Sequence, residues 1–236
     1  MRTSYAAGIA IVSTILQTQA TFLQQEEAWP PVLLPMNFQL EGAYFTFNEE
    51  TQKLEPYYDV KVAQYIDSDG NREKIVINQN IQGIGYTNIT NFIDCTTGVI
   101  TQHIPIIAYC KSVPMGQIYN ITDLFNKIRD PSSGVSTYEG LATLPWSNGT
   151  NLYHFTMKTL DGQGKTIKQD VYYDTSSLNL KYAMIEGAPE ILVTDIGYVE
   201  RTFTDEDFKG LDTCTSEIQM AHDSPYEMTP LKGLRL

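Results

Sequence analysis

The chain has 236 residues, of which 42% are hydrophobic and 11% aromatic, enough to bury a core without disulfide support. A formal net charge of −12 and a pI of about 4.6 argue against nucleic acid and against electrostatic docking on anionic lipid, since both would repel the protein. After the N-terminus no apolar run approaches the ~20 residues that a transmembrane helix needs, so no span is expected in the mature chain.

Residues 1–20 have the order of a secretory signal peptide. Met1-Arg2 is a short charged start, and Ala6 to Leu16 is an apolar run too short to cross a bilayer. Thr18-Gln19-Ala20 then sets small residues at the third and last positions before a cut. Secretion is the expectation. Residues 21–35 are proline-bounded and read as an irregular lead-in, and residues 36–214 as a single domain. The tail 215–236 has no clear period and reads as disordered.

From Phe38 the pattern is β. Phe38–Phe47 is aromatic-rich, Tyr57–Ile66 alternates, Asp67-Ser68-Asp69-Gly70-Asn71 is a turn with Gly70 free to take positive φ, and Lys74–Asn78 returns. Runs 84–94 and 98–109 follow as a hairpin across Thr96-Thr97-Gly98. A capped helix is predicted from Thr122 to Arg129, with Leu124, Phe125 and Ile128 on one face and Pro131 ending it. Strands resume at Leu152–Leu160 and Thr166–Tyr173 around the glycine-rich loop 161–165, then at Asn179–Glu186 and Ile191–Tyr198. A second short helix is expected from Thr204, burying Phe208 and Leu211. Connections this short predict antiparallel pairing. The fold class is therefore mainly β (α+β): a curved antiparallel sheet of about 8–11 strands with one or two covering helices.

Three cysteines, Cys95, Cys110 and Cys214, leave one thiol over after a single disulfide. In the predicted hairpin Cys95 lies at the turn and Cys110 at the far end, too distant to bond, which favours Cys214 pairing with one of them. Asn88-Ile89-Thr90, Asn120-Ile121-Thr122 and Asn148-Gly149-Thr150 are glycosylation sequons, making Asn88, Asn120 and Asn148 candidate acceptors.

Signals for catalysis are scarce. His103, His154 and His222 form no metal-binding pair at helical spacing, and His154 is read as a solvent-face side chain. No G-x-S-x-G elbow occurs. Gly164-Lys165-Thr166 lacks the earlier glycine of a phosphate loop, with Thr159 in its place. The turn at Asp67 fails the calcium-loop pattern, with Arg72 where glycine and Asn78 where glutamate are required. No enzyme, cofactor or metal site is expected. Acids at Asp205-Glu206-Asp207 suit a helix start.

What remains is an apolar inventory larger than a flat sheet needs. With period two, one face carries Tyr58, Val60 and Val62, then Ile75 and Ile77. Later strands add Tyr153, Phe155 and Met157, Ile167, Val171 and Tyr173, and Leu180, Tyr182 and Met184. Turned inward on a curved sheet, these fourteen side chains enclose either a packed core or an apolar cavity.

The order of several short motifs resembles the ependymin-related proteins and the wider lipoprotein-carrier-like half-barrels. These are Phe38-x-x-x-Gly42, Tyr57-Tyr58-Asp59, Cys95 and Cys110, Leu144-Pro145-Trp146, and Asp207-Phe208 before Cys214. The resemblance implies a half-barrel whose open side is covered by helices. It also implies a secreted or endolysosomal glycoprotein, often a homodimer, with an apolar pocket and in some members calcium. The chain departs from that family in having fewer cysteines. The function expected is non-enzymatic binding of a lipid or other hydrophobic small molecule in the cavity. The alternative is a structural or adhesive matrix glycoprotein with a filled core.

Overall fold

The computed structural model describes residues 29–209 apart from 82, 84, 116–117 and 161–165. The proposed signal region 1–20, residues 21–28, the loop 161–165, Leu211, Cys214, His222 and the tail 215–236 lie outside the described residues.

Eleven strands make one open antiparallel sheet. They are β1 (Asn37–Asn48), β2 (Lys53–Asp67), β3 (Arg72–Ile81), β4 (Gly85–Asp94), β5 (Val99–Ile104), β6 (Tyr109–Pro114), β7 (Ser136–Thr143), β8 (Asn151–Leu160), β9 (Thr166–Asp174), β10 (Leu180–Ile185) and β11 (Glu190–Glu200). Their spatial order is β6-β5-β4-β3-β2-β1-β11-β10-β9-β8-β7. Two meanders of hairpins therefore meet at a central seam, where β1 pairs β11 from Phe38↔Glu200 to Thr46↔Glu190. Between β6 and β7, helix α1 (Ile121–Arg129) carries the chain from one edge strand to the other, over the concave face. This is the curved, mainly β half-barrel with a covering helix that the alternation predicts.

Local chemistry explains the elements. At the β2–β3 turn, Asp67 Oδ1 accepts the Gly70 N–H at 3.0 Å and Oδ2 accepts Arg72 Nε at 2.7 Å. Asn71 rather than Gly70 takes the left-handed conformation (φ 50°). Gly70 is needed for space: a Cβ there would lie 2.6 Å from Asp67 Oδ2. In α1 the Asn120 side chain caps the Asp123 N–H at 2.9 Å, while Lys127 and Arg129 in the last turn suit the negative end of the helix dipole. Ile121, Phe125 and Ile128 are buried, with Leu124 beside them at the margin.

Two strand assignments differ from the sequence reading. The run 98–109 is split, because Pro105 ends β5 and a 3-10 turn at Pro105–Ile107 precedes β6. Strand β7 was not expected. Its sequence STYEGLAT is polar and interrupted by Gly140, which takes φ 100° at a bulge opposite β8. The expected helix at Thr204 is a single 3-10 turn (Asp205–Phe208) closed by a capping box between Thr204 and Asp207.

The main core lies on the concave face. Phe38, Leu40, Val60, Ile66, Phe155, Val171, Leu192 and Tyr198 from the sheet pack against Ile121, Phe125 and Ile128 of the helix. Phe38 stacks on Phe125 with centroids 5.9 Å apart and meets Tyr198 edge-on at 4.6 Å. Each such side chain contributes about 1.5–3 kcal/mol by leaving water, so α1 is held mainly by its buried face. A second cluster of Leu144, Leu152, Tyr172, Tyr182 and Ile191 occupies the convex face, with Trp146 folded over it.

Candidate functional site

Among the described residues the concave core leaves a gap. A cavity of about 210 Å³ lies between β7–β9, the C-terminal end of α1 and the strap of residues 29–36 that precedes β1. Its wall is made by Trp29, Pro30, Pro31, Val32 and Leu34 from the strap, Ile128 and Arg129 from α1, and Ser136, Phe155, Met157 and Tyr173 from the sheet. The strap is fixed by the Leu33 N–H donating to the Leu178 carbonyl at 2.6 Å and by the Trp29 ring, which meets Phe155 edge-on at 5.1 Å. Arg129 secures it further, donating Nη2 to the Leu34 carbonyl and Nη1 to Met36 Sδ at 3.2 Å.

Of the residues expected to face a pocket, Phe155, Met157 and Tyr173 line this cavity. Val60, Val171 and Leu180 belong to the packed core around it, with Val62, Ile75, Ile77 and Tyr153 partly buried against that core. Ile167 is half-buried. Three others are placed elsewhere. Tyr58 is 74% exposed, because Tyr58 and Asp59 both adopt left-handed backbone (φ 49° and 51°) at a break in the β1–β2 register and leave the alternation. Tyr182 and Met184 point to the convex cluster. A bulge between Leu180 and Tyr182 in their pairing with β9 shifts the parity, so Leu180 sits opposite Tyr173 but Tyr182 opposite Tyr172. The strap, Ile128, Arg129 and Ser136 escaped the sequence reading, since period-two alternation finds strands and is blind to a proline-bounded segment laid across them.

Two residues of the cavity wall carry buried hydroxyls. Ser136 is 2% and Tyr173 0% exposed, and among the described residues neither Ser136 Oγ nor Tyr173 Oη meets a hydrogen-bond partner in bonding geometry. Burial pushes the Tyr173 hydroxyl up to about 12, with the neighbouring Tyr198 hydroxyl pulling slightly the other way. Elsewhere on the concave face Gln64 Nε2 donates to Glu73 Oε1 at 2.6 Å, both groups being buried. Cys95 is fully buried and free, and desolvation raises its thiol to about 12 against a smaller opposing effect of Tyr119.

On the convex face His154 Nε2 lies 2.8 Å from Asp170 Oδ1, and the Thr156 hydroxyl donates to the same oxygen at 3.2 Å. The His154 ring stacks on Tyr172 at 4.5 Å, nearly parallel. This is a packed polar trio on two neighbouring strands, in which the hydroxyl is bound to the carboxylate rather than to the imidazole. The acids at 205–207 do not fit calcium. Asp205 pairs with Arg72 at 2.8 Å, Glu206 with Lys209 at 2.6 Å and Asp207 with Arg201 at 2.5 Å, so each carboxylate is already engaged by a cation.

The sequon asparagines differ in access. Asn148 is exposed in a turn with φ 52°, and Asn120 is exposed with only its Oδ1 engaged as the cap of α1. Asn88 is half-buried and its Nδ2 donates to Asn78 Oδ1 at 3.1 Å. Among the described residues no helix is long and apolar enough to cross a membrane. No protein-family model matches this chain, and no curated protein matches it either.

Proposed function

We propose that this chain is a secreted, non-enzymatic glycoprotein that binds a hydrophobic small molecule on the concave side of its half-barrel. The observation that carries the reading is the 210 Å³ apolar cavity, placed where the helix and the strap cover the sheet. The cavity is below the ~300 Å³ at which ligand sites usually begin, so the ligand is small or its far end leaves the protein. The exposed amides of Asn120 and Asn148 suit glycan attachment.

The decisive experiment is native mass spectrometry of the secreted protein, deglycosylated and isolated without detergent. Bound mass that disappears on organic extraction is expected. A clean apo mass together with disulfide-linked or edge-paired oligomers would instead favour a matrix role. That second reading draws on the exposed apolar side chains Ile106, Ile107, Val113 and Ile118 near the open edge at β6.

A further inference from the structure

Three residues with polar side chains line the cavity, and of these only Arg129 is a donor alone, since the Ser136 and Tyr173 hydroxyls both donate and accept. The two hydroxyl oxygens are themselves shut off from solvent, that of Tyr173 beside the Tyr198 hydroxyl, whereas Arg129 is exposed. Three arginines fall within the described residues. Arg72 pairs with Asp67 and Arg201 with Asp207, whereas Arg129 has no carboxylate partner among the described residues. Its two contacts, to the Leu34 carbonyl and to Met36 Sδ, use two of the five N–H groups of a guanidinium. A helix C-terminus would be served by any exposed cation, as Lys127 already is. Anchoring a guanidinium to the strap beside an apolar space is an additional feature, and among the described residues its other N–H groups remain free for a ligand.

We infer that the ligand is a monocarboxylate with a short apolar part, its head group held by Arg129. The inference rests on the binding reading given above. A short apolar part follows from the cavity volume of about 210 Å³, below the ~300 Å³ at which ligand sites usually begin. The head group follows from the guanidinium: a carboxylate is acceptor-only and opposite in charge, whereas an ammonium would be repelled. An acidic chain gains nothing by repelling an anion, so the local cation must supply the attraction at short range.

The test is calorimetric titration of the full secreted protein, stripped of bound lipid, with octanoate, octanol and octylammonium at neutral pH. Octanoate should bind at least about tenfold more tightly than octanol, with octylammonium weakest. Arg129→Gln, which keeps a donor for the Leu34 carbonyl, should bring octanoate down to the affinity of octanol and leave octanol unchanged. Equal binding of octanoate and octanol, or octanoate unaffected by Arg129→Gln, would overturn the head-group assignment while leaving an apolar binding site standing. No binding of any of the three to protein with native circular dichroism would overturn the assignment and the cavity reading together.

Discussion

Phe155→Ala tests whether the cavity wall is built as described. The ring is 1% exposed and is packed by Trp29 at 5.1 Å, Tyr138 at 5.1 Å and Tyr173 at 5.6 Å. Losing a buried ring removes about 100–150 Å² of apolar contact, or roughly 2.5–4 kcal/mol at 25 cal/mol per Å². The void it leaves adds a cavity term of about 24 cal/mol per Å³, reduced here because one side of the ring already faces empty space. About 4 kcal/mol is expected in total, against a global stability of roughly 5–15 kcal/mol for a domain. The variant should therefore fold but unfold early in urea, with a midpoint lowered by about 1.5–2 M for a slope of roughly 2–3 kcal/mol/M. Trp29 gives a local probe if Trp146, which lies in the other cluster, is replaced by Phe in both proteins. A loss below about 1 kcal/mol, with unchanged Trp29 emission, would mean that the ring is not packed between strap and sheet, and the cavity geometry would fall with it.

Cys95 should resist iodoacetamide in the native protein at pH 8 and react on unfolding, because burial raises its thiol to about 12. Rapid native labelling would contradict the placement. With Cys95 withheld, peptide mapping of non-reduced protein should yield a Cys110–Cys214 link and no Cys95 link. Asp174 is held below the usual carboxylate range by the Ser177 and Ser176 N–H groups, and Asp94 by Thr97 and Thr96 despite opposing desolvation. For a depressed carboxylate the stabilisation is complete above the unfolded value near 3.9 and is lost as pH falls through the folded one. The urea midpoint should thus drop between about pH 4 and 2, and less steeply in an Asp94→Asn, Asp174→Asn variant. Gly197→Ala should cost about 2 kcal/mol or more, read as a lowered thermal midpoint. Its backbone has φ 80°, and a Cβ would lie 2.3 Å from Asn179 Oδ1, the atom that accepts the Tyr198 N–H. Unchanged stability would refute that close approach.

The sheet was largely legible in the amino-acid order because most strands bury one face, and alternation is the direct signature of that. Phe38–Phe47 and Leu152–Leu160 fall within a residue of β1 and β8. What escaped was non-periodic. A bulge such as the one between Leu180 and Tyr182 inserts a residue without changing composition, and it moved two expected pocket residues to the opposite face. Tyr58 left the pattern through a backbone conformation that its residue type does not announce. More than half of the cavity lining comes from Trp29 to Leu34 and from the end of α1, and only tertiary packing brings these to β7–β9.

The seam between β1 and β11 has a temporal meaning. Each meander closes over short hairpins, but the seam joins residues about 160 positions apart, a contact that is slow to form because the loop entropy must be lost first. During synthesis β1 emerges early and then waits, with one edge bare, until nearly the whole of β11 has been made. A chain interrupted before residue 190 would carry that aromatic edge unpaired. The middle of the finished sheet is thus the most aggregation-prone surface of the nascent one.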